Sequence, residues 1–76
     1  MKKEDFLVEL EDILQREEPC LENDLLESYE EWDSLAKMAI LAFYSKHFSV
    51  GLNVAQLHEL KTVKDLIDLS DGNIID

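Results

Sequence analysis

Apolar residues recur at three- and four-residue steps from Asp5 to about Glu17, at Phe6, Leu7, Leu10, Ile13 and Leu14. A helix gathers such positions into one stripe, so the pattern predicts an amphipathic first helix. Pro19 lacks a backbone donor and pushes Glu18 out of the α region, which predicts that this helix stops by Glu18. From Ser34 to Phe48 the sequence SLAKMAILAFYSKHF has no Pro or Gly, and Met38 to Tyr44 is apolar on nearly every face. A helix of that kind is central rather than peripheral. Gly51 follows as its predicted stop.

Residues 19 to 32 show no sustained period, yet Leu21, Leu25, Leu26, Tyr29 and Trp32 are too apolar for a free linker. They read as a long loop pinned onto the core, and ordered loops of this length are often functional. Beyond Gly51, Asn53 is placed to cap a short helical turn over Val54 to Leu60. Thr62 and Asp65 have capping-box spacing in front of Val63, Leu66, Ile67 and Leu69, which predicts a last helix from Val63 to about Ser70. Asp71-Gly72-Asn73 is turn chemistry, and residues 71–76 are expected to fray. No strand-like alternation or internal repeat competes. The reading is all-α: one domain over residues 1–76 with its core at about 4–70, built from three main helices and one short one, with the long loop between the first two.

Size and charge narrow the function. A chain of 76 residues and 8.8 kDa is one small domain, exposing roughly 4,800 Å² when folded by area scaling. A pocket for a large cofactor is not expected. The net charge of −11 repels phosphate backbones and anionic membranes, so no nucleic-acid partner is expected. Cys20 is the single cysteine, which removes internal disulfides and thiolate zinc cages and suits a reducing cytoplasm. It is expected to be partly covered and inert. No apolar run has the length of a bilayer span, and Met1-Lys2-Lys3 leads into acidic residues rather than an apolar signal segment. A cytoplasmic monomer is the expectation.

The chemistry concentrates at Trp32-Asp33-Ser34-Leu35, where the loop meets the central helix. Asp33 is a good N-cap, leaving Ser34 in the first turn. A hydroxyl there projects near unpaired N–H groups and the positive end of the helix dipole, where a phosphate is stabilised. A serine hydrolase would need a base beside Ser34, and there is no nucleophile-elbow sequence. His47 lies about 20 Å further along the same helix. His58 reads as a surface residue, and neither histidine has ligand spacing with Cys20, so no metal site is expected.

Asp33-Ser34-Leu35 at the start of the second helix resembles the acyl carrier protein family, also called phosphopantetheine-attachment or thiolation domains. The resemblance continues through Phe48, Leu52, Thr62-Val63 and Leu66-Ile67 and spans essentially the whole chain. It implies an acyl-carrier-like bundle in which a phosphopantetheinyl transferase, using coenzyme A and Mg²⁺, attaches 4′-phosphopantetheine to Ser34, flanked by Asp33 and Leu35. The arm would then hold acyl or aminoacyl groups as thioesters and pass them between activating and transfer enzymes of a biosynthetic pathway. The carrier itself would catalyse nothing.

The sequence also departs from that family. Fatty-acid carriers place acidic residues where this chain has Ala36 and Ala39, and here no Asp or Glu occurs from Leu35 to Phe48. Acidic residues gather instead at Glu22, Asp24, Glu27, Glu30, Glu31 and Asp33, which displaces the expected docking centre for a basic enzyme. Trp32, Lys37, Met38, Glu30 and Glu31 are the candidate docking residues. Leu35 and Met38 have core positions as their alternative, burial is the favoured reading for Trp32, and Lys37, one turn beyond Ser34 and able to approach a phosphodiester there, has a solvated surface lysine as its favoured reading. The competing functional reading is a non-enzymatic acidic helical adaptor or DNA-charge mimic, which explains the charge and leaves the placement of Asp33-Ser34-Leu35 unexplained.

Overall fold

The computed structural model describes residues 1–75, which form a small, mostly helical domain with four α-helices and, among the described residues, no strands. Helix α1, Lys3–Leu14, has Glu4 and Asp5 in its first turn, where negative charge complements the helix dipole, and buries Phe6, Leu10 and Leu14. It ends three residues before the predicted Glu17. Gln15 takes the left-handed conformation, φ 55°, and the N–H groups of Gln15 and Arg16 turn back to the carbonyls of Asp12 and Glu11. This Schellman-type closure satisfies the last carbonyls, so the helix is finished before Pro19 can act.

The loop that follows contains one 3₁₀ turn, Leu26–Ser28, and is ordered by what comes forty residues later. Helix α4, Val63–Asp68, leaves first-turn amides without intrahelical acceptors. Two of them are taken by the loop: Val63 N–H donates to the Asp24 carbonyl at 3.0 Å and Lys64 N–H to the Glu22 carbonyl at 2.8 Å. In return Leu26 N–H donates to the Lys61 carbonyl at 2.9 Å. Leu26 and Tyr29 are buried in the core beneath this pairing.

Helix α2, Ser34–Phe48, has the predicted bounds and buries Ala36, Ile40 and Tyr44. It stops at Ser49, which is left-handed with φ 56°, rather than at Gly51, which has no positive φ. Helix α3, Val54–His58, carries a full capping box between Asn53 and Gln56, as α4 does between Thr62 and Asp65. Both are shorter than predicted. The molecule therefore has two long helices and two short ones, where the sequence reading has three main helices and one short.

The core centres on Tyr44 and Phe6, both 0% exposed, with their rings edge to face at 6.1 Å. Phe48 meets Tyr44 the same way at 5.1 Å. The Tyr44 hydroxyl donates to the Leu66 carbonyl, tying α2 to α4. The folded chain exposes 4940 Å², close to the roughly 4,800 Å² expected from mass.

Residues 71–75 do not fray. Ile74 is buried and its N–H donates to Ser70 Oγ at 3.1 Å, while Ile75 N–H donates to the Met1 carbonyl at 2.8 Å. The apolar gain comes from Ile74, 7% exposed, while Ile75, whose side chain is 58% exposed, is held through its backbone. Asp76 lies outside the described residues. Among the described residues no helix is long and apolar enough to cross a membrane.

Candidate functional site

The start of α2 is fixed by Asp33. Its backbone is extended, and its carboxylate accepts the Ala36 N–H at 2.9 Å. This cap satisfies one of the four first-turn donors, while the Asp33 carbonyl takes the Lys37 N–H at 3.0 Å. Ser34 is exposed on the first turn, as are Asp33 and Leu35 beside it. Capped helix starts of this kind carry positive potential from the aligned peptide dipoles.

Around Ser34 the surface divides by chemistry. On one side, a cleft of about 310 Å³ separates the end of α1 from the start of α2, with Ile13, Glu31, Asp33 and Leu35 along its walls. Along the outward face of α2 runs an apolar strip of Leu35, 77% exposed, and Met38, 61% exposed, continued by exposed Ala39 and Ala42. The core alternative for Leu35 and Met38 is thereby removed. Ala36 points inward at 7% exposed, so of the two alanines singled out in the sequence only Ala39 is available to a partner.

Trp32 is half-buried against the core. Over its ring, 5.7 Å from the centroid, sits the ammonium of Lys37, within cation–π range. The same ammonium is 3.1 Å from His58 Nδ1 on the last turn of α3. Because a lysine only donates, His58 accepts here through Nδ1 and carries its proton on Nε2.

The acidic loop is less uniform than its composition. Glu31 pairs with Arg16 at 3.1 Å, and the guanidinium also reaches Glu18 at 3.4 Å and lies 4.0 Å over the Tyr29 ring. Asp24 accepts the Tyr29 hydroxyl at 2.7 Å and the Leu21 N–H at 3.2 Å, and Glu22 pairs with Lys3 at 3.3 Å. Three of the six acids are therefore committed to holding the loop, while Glu27, Glu30 and Asp33 are exposed. Burial, reinforced by the bond to Asp24, pushes the Tyr29 hydroxyl pKa upward. Cys20 is buried at 2% exposed, beyond the partial cover expected, and that burial raises its thiol pKa.

Two participants escaped the sequence reading. Arg16 is the only arginine in the chain, and its isolation among Glu17, Glu18 and the acidic loop was the available signal for a staple. The Lys37–His58 contact had none, since it joins residues 21 apart on two helices. His47 stacks on Phe43 at 4.3 Å on α2. Among the described residues no three His, Cys, Asp or Glu side chains gather as a metal site. No protein-family model, curated protein or solved structure matches the chain.

Proposed function

We propose that the four helices form an acyl-carrier-like bundle and that the chain holds acyl or aminoacyl groups as thioesters on a 4′-phosphopantetheine arm attached to Ser34. The observation that carries this reading is an exposed serine hydroxyl on the first turn of a long, Asp-capped central helix. A phosphodiester needs an accessible hydroxyl and a setting that tolerates negative charge, and a helix start provides the second. The residues fit the group.

Attachment joins Ser34 Oγ to the phosphorus of the pantetheine half of coenzyme A. The Oγ–H bond breaks and the nucleotide half leaves with its bridging oxygen. Once in place, the arm supplies a terminal thiol for thioester exchange. This chain's own contribution is to present Ser34. Asp33 fixes the helix start and hence the direction of Oγ, and the core held by Tyr44 and Phe6 keeps that start rigid. The protein is a substrate and carrier here, not a catalyst.

Partner enzymes would read the surface beside Ser34. The strip of Leu35, Met38, Ala39 and Ala42 offers an apolar centre, and exposed Glu27 and Glu30 offer a negative flank for a basic rim. The test is intact-protein mass after incubation with coenzyme A, Mg²⁺ and a phosphopantetheinyl transferase. The wild-type chain should gain one phosphopantetheinyl group and Ser34→Ala none. No gain with several transferases, including one from the native host, would overturn the reading in favour of an acidic adaptor.

A further inference from the structure

Lys37 is an anomaly of pairing. In a chain with 18 Asp and Glu against seven Lys and Arg, its ammonium makes no ion pair among the described residues. It rests between the Trp32 ring at 5.7 Å and the neutral Nδ1 of His58 at 3.1 Å. A lysine surrounded by so much negative charge would ordinarily find a carboxylate. Holding it on an uncharged imidazole and an aromatic face keeps its charge unspent within one turn of Ser34.

The position makes the charge usable. Residues three apart on a helix are neighbours, with Cβ atoms about 5–6 Å apart, so Ser34 and Lys37 share a face of α2. Trp32, which holds the ammonium from below, precedes the Asp33-Ser34 pair directly. Both bonds draw on the same ionised donor, but a phosphate on Ser34 brings about two negative charges and several acceptor oxygens, where the imidazole offers one uncharged nitrogen. The contact to His58 is exposed, so water competes for it and little holds the ammonium there once a stronger acceptor is near.

We propose that Lys37 is a switchable latch: with Ser34 bare it ties α3 to α2 through His58, and a phosphate on the Ser34 oxygen draws the ammonium away and releases α3. The proposal names phosphate on Ser34 as the trigger and so rests on the carrier reading for its biological occasion, but its physics needs only the phosphate. His58 is a positioning residue that parks the cation. Helix α3 has only five residues and a single buried side chain, Leu57, so loss of one tether is expected to be felt along it.

The experiment uses the full chain with Ser34 either bare or phosphorylated by genetic incorporation of phosphoserine, which requires no transferase. Amide hydrogen exchange is read at Leu57, His58 and Leu60. Phosphorylation should speed exchange there about three- to tenfold, the effect of losing one hydrogen bond of ordinary net strength. Lys37→Met should show the faster rate already when bare and respond little to phosphate. Lys37→Arg should restore a phosphate response, and His58→Ala should mimic the released state with Ser34 bare. Equal α3 exchange in the bare and phosphorylated wild type, or an undiminished response in Lys37→Met, would overturn the latch. Mass after transferase treatment separates the two ideas. A chain that loads the arm with α3 unchanged refutes the latch alone; one that never loads but releases α3 on phosphorylation refutes the carrier reading alone.

Discussion

Tyr44→Phe removes one oxygen atom from the centre of the molecule. The ring stays, with its edge contacts to Phe6 at 6.1 Å and Phe48 at 5.1 Å, so the change isolates the hydroxyl donated to the Leu66 carbonyl. Leu66 lies among the last four residues of a six-residue helix, where carbonyls lack intrahelical partners. After the substitution it keeps only the Leu69 N–H at 3.2 Å. Leaving a buried acceptor wholly unpaired costs about 1–3 kcal/mol, and the surviving partner moves the expectation to about 1.5 kcal/mol. With an unfolding entropy of about 2.1 cal/mol/K per residue, that loss lowers the melting midpoint by about 9 °C. Thermal unfolding followed by circular dichroism at 222 nm reads the shift. A variant melting within about 2 °C of wild type would refute the claim that this bond joins α2 to α4.

Alkaline pH should destabilise the fold through its two tyrosines. Burial raises the pKa of both Tyr29 and Tyr44 in the folded state, so each stays protonated where the unfolded chain ionises near pH 10; the contribution is fully present below that pH and is lost above it, at about 1.4 kcal/mol per pH unit for each group. Denaturant melts from pH 9 to 11.5 with tyrosinate absorbance at 295 nm should show stability falling before any tyrosinate appears in the native protein. Cys20, 2% exposed with a raised thiol pKa, should react with a disulfide reagent at least tenfold slower in the folded protein than in denaturant, and prompt native labelling would contradict its burial.

The long elements were legible because their periodicity is strong. Helix α2 was predicted at its observed bounds, since fifteen residues without Pro or Gly leave few alternatives and Asp33 marks the start. The Thr62–Asp65 capping box and the Asn53 cap are also readable, because they act on backbone within three residues; that Gln56 completes a second box with Asn53 is seen only in the structure. Helix closures are harder: Gln15 and Ser49 adopt left-handed φ without being glycine, so Pro19 carries the reading of α1 past its end at Leu14, and Gly51 is not the residue that closes α2. At the site, the exposure of Ser34 follows from its position after the cap. The outward direction of Leu35 and Met38 does not, because α2 is apolar on most faces and only packing by α1, α3 and α4 decides which face remains. The tail was misjudged for the same reason, as the partner of Ile75 is at the other end of the sequence.

The pairing between the long loop and α4 bears on how this domain could be recombined. The amides that open α4 are closed by carbonyls of Asp24 and Glu22, and Lys61 closes Leu26 in exchange. A chimera that imports a foreign fourth helix would bring N–H groups whose acceptors belong to another segment. The transplantable block is therefore discontinuous in sequence: residues 22–26 and 61–64 travel together, and a crossover point between them cuts the backbone seam that joins the loop to α4.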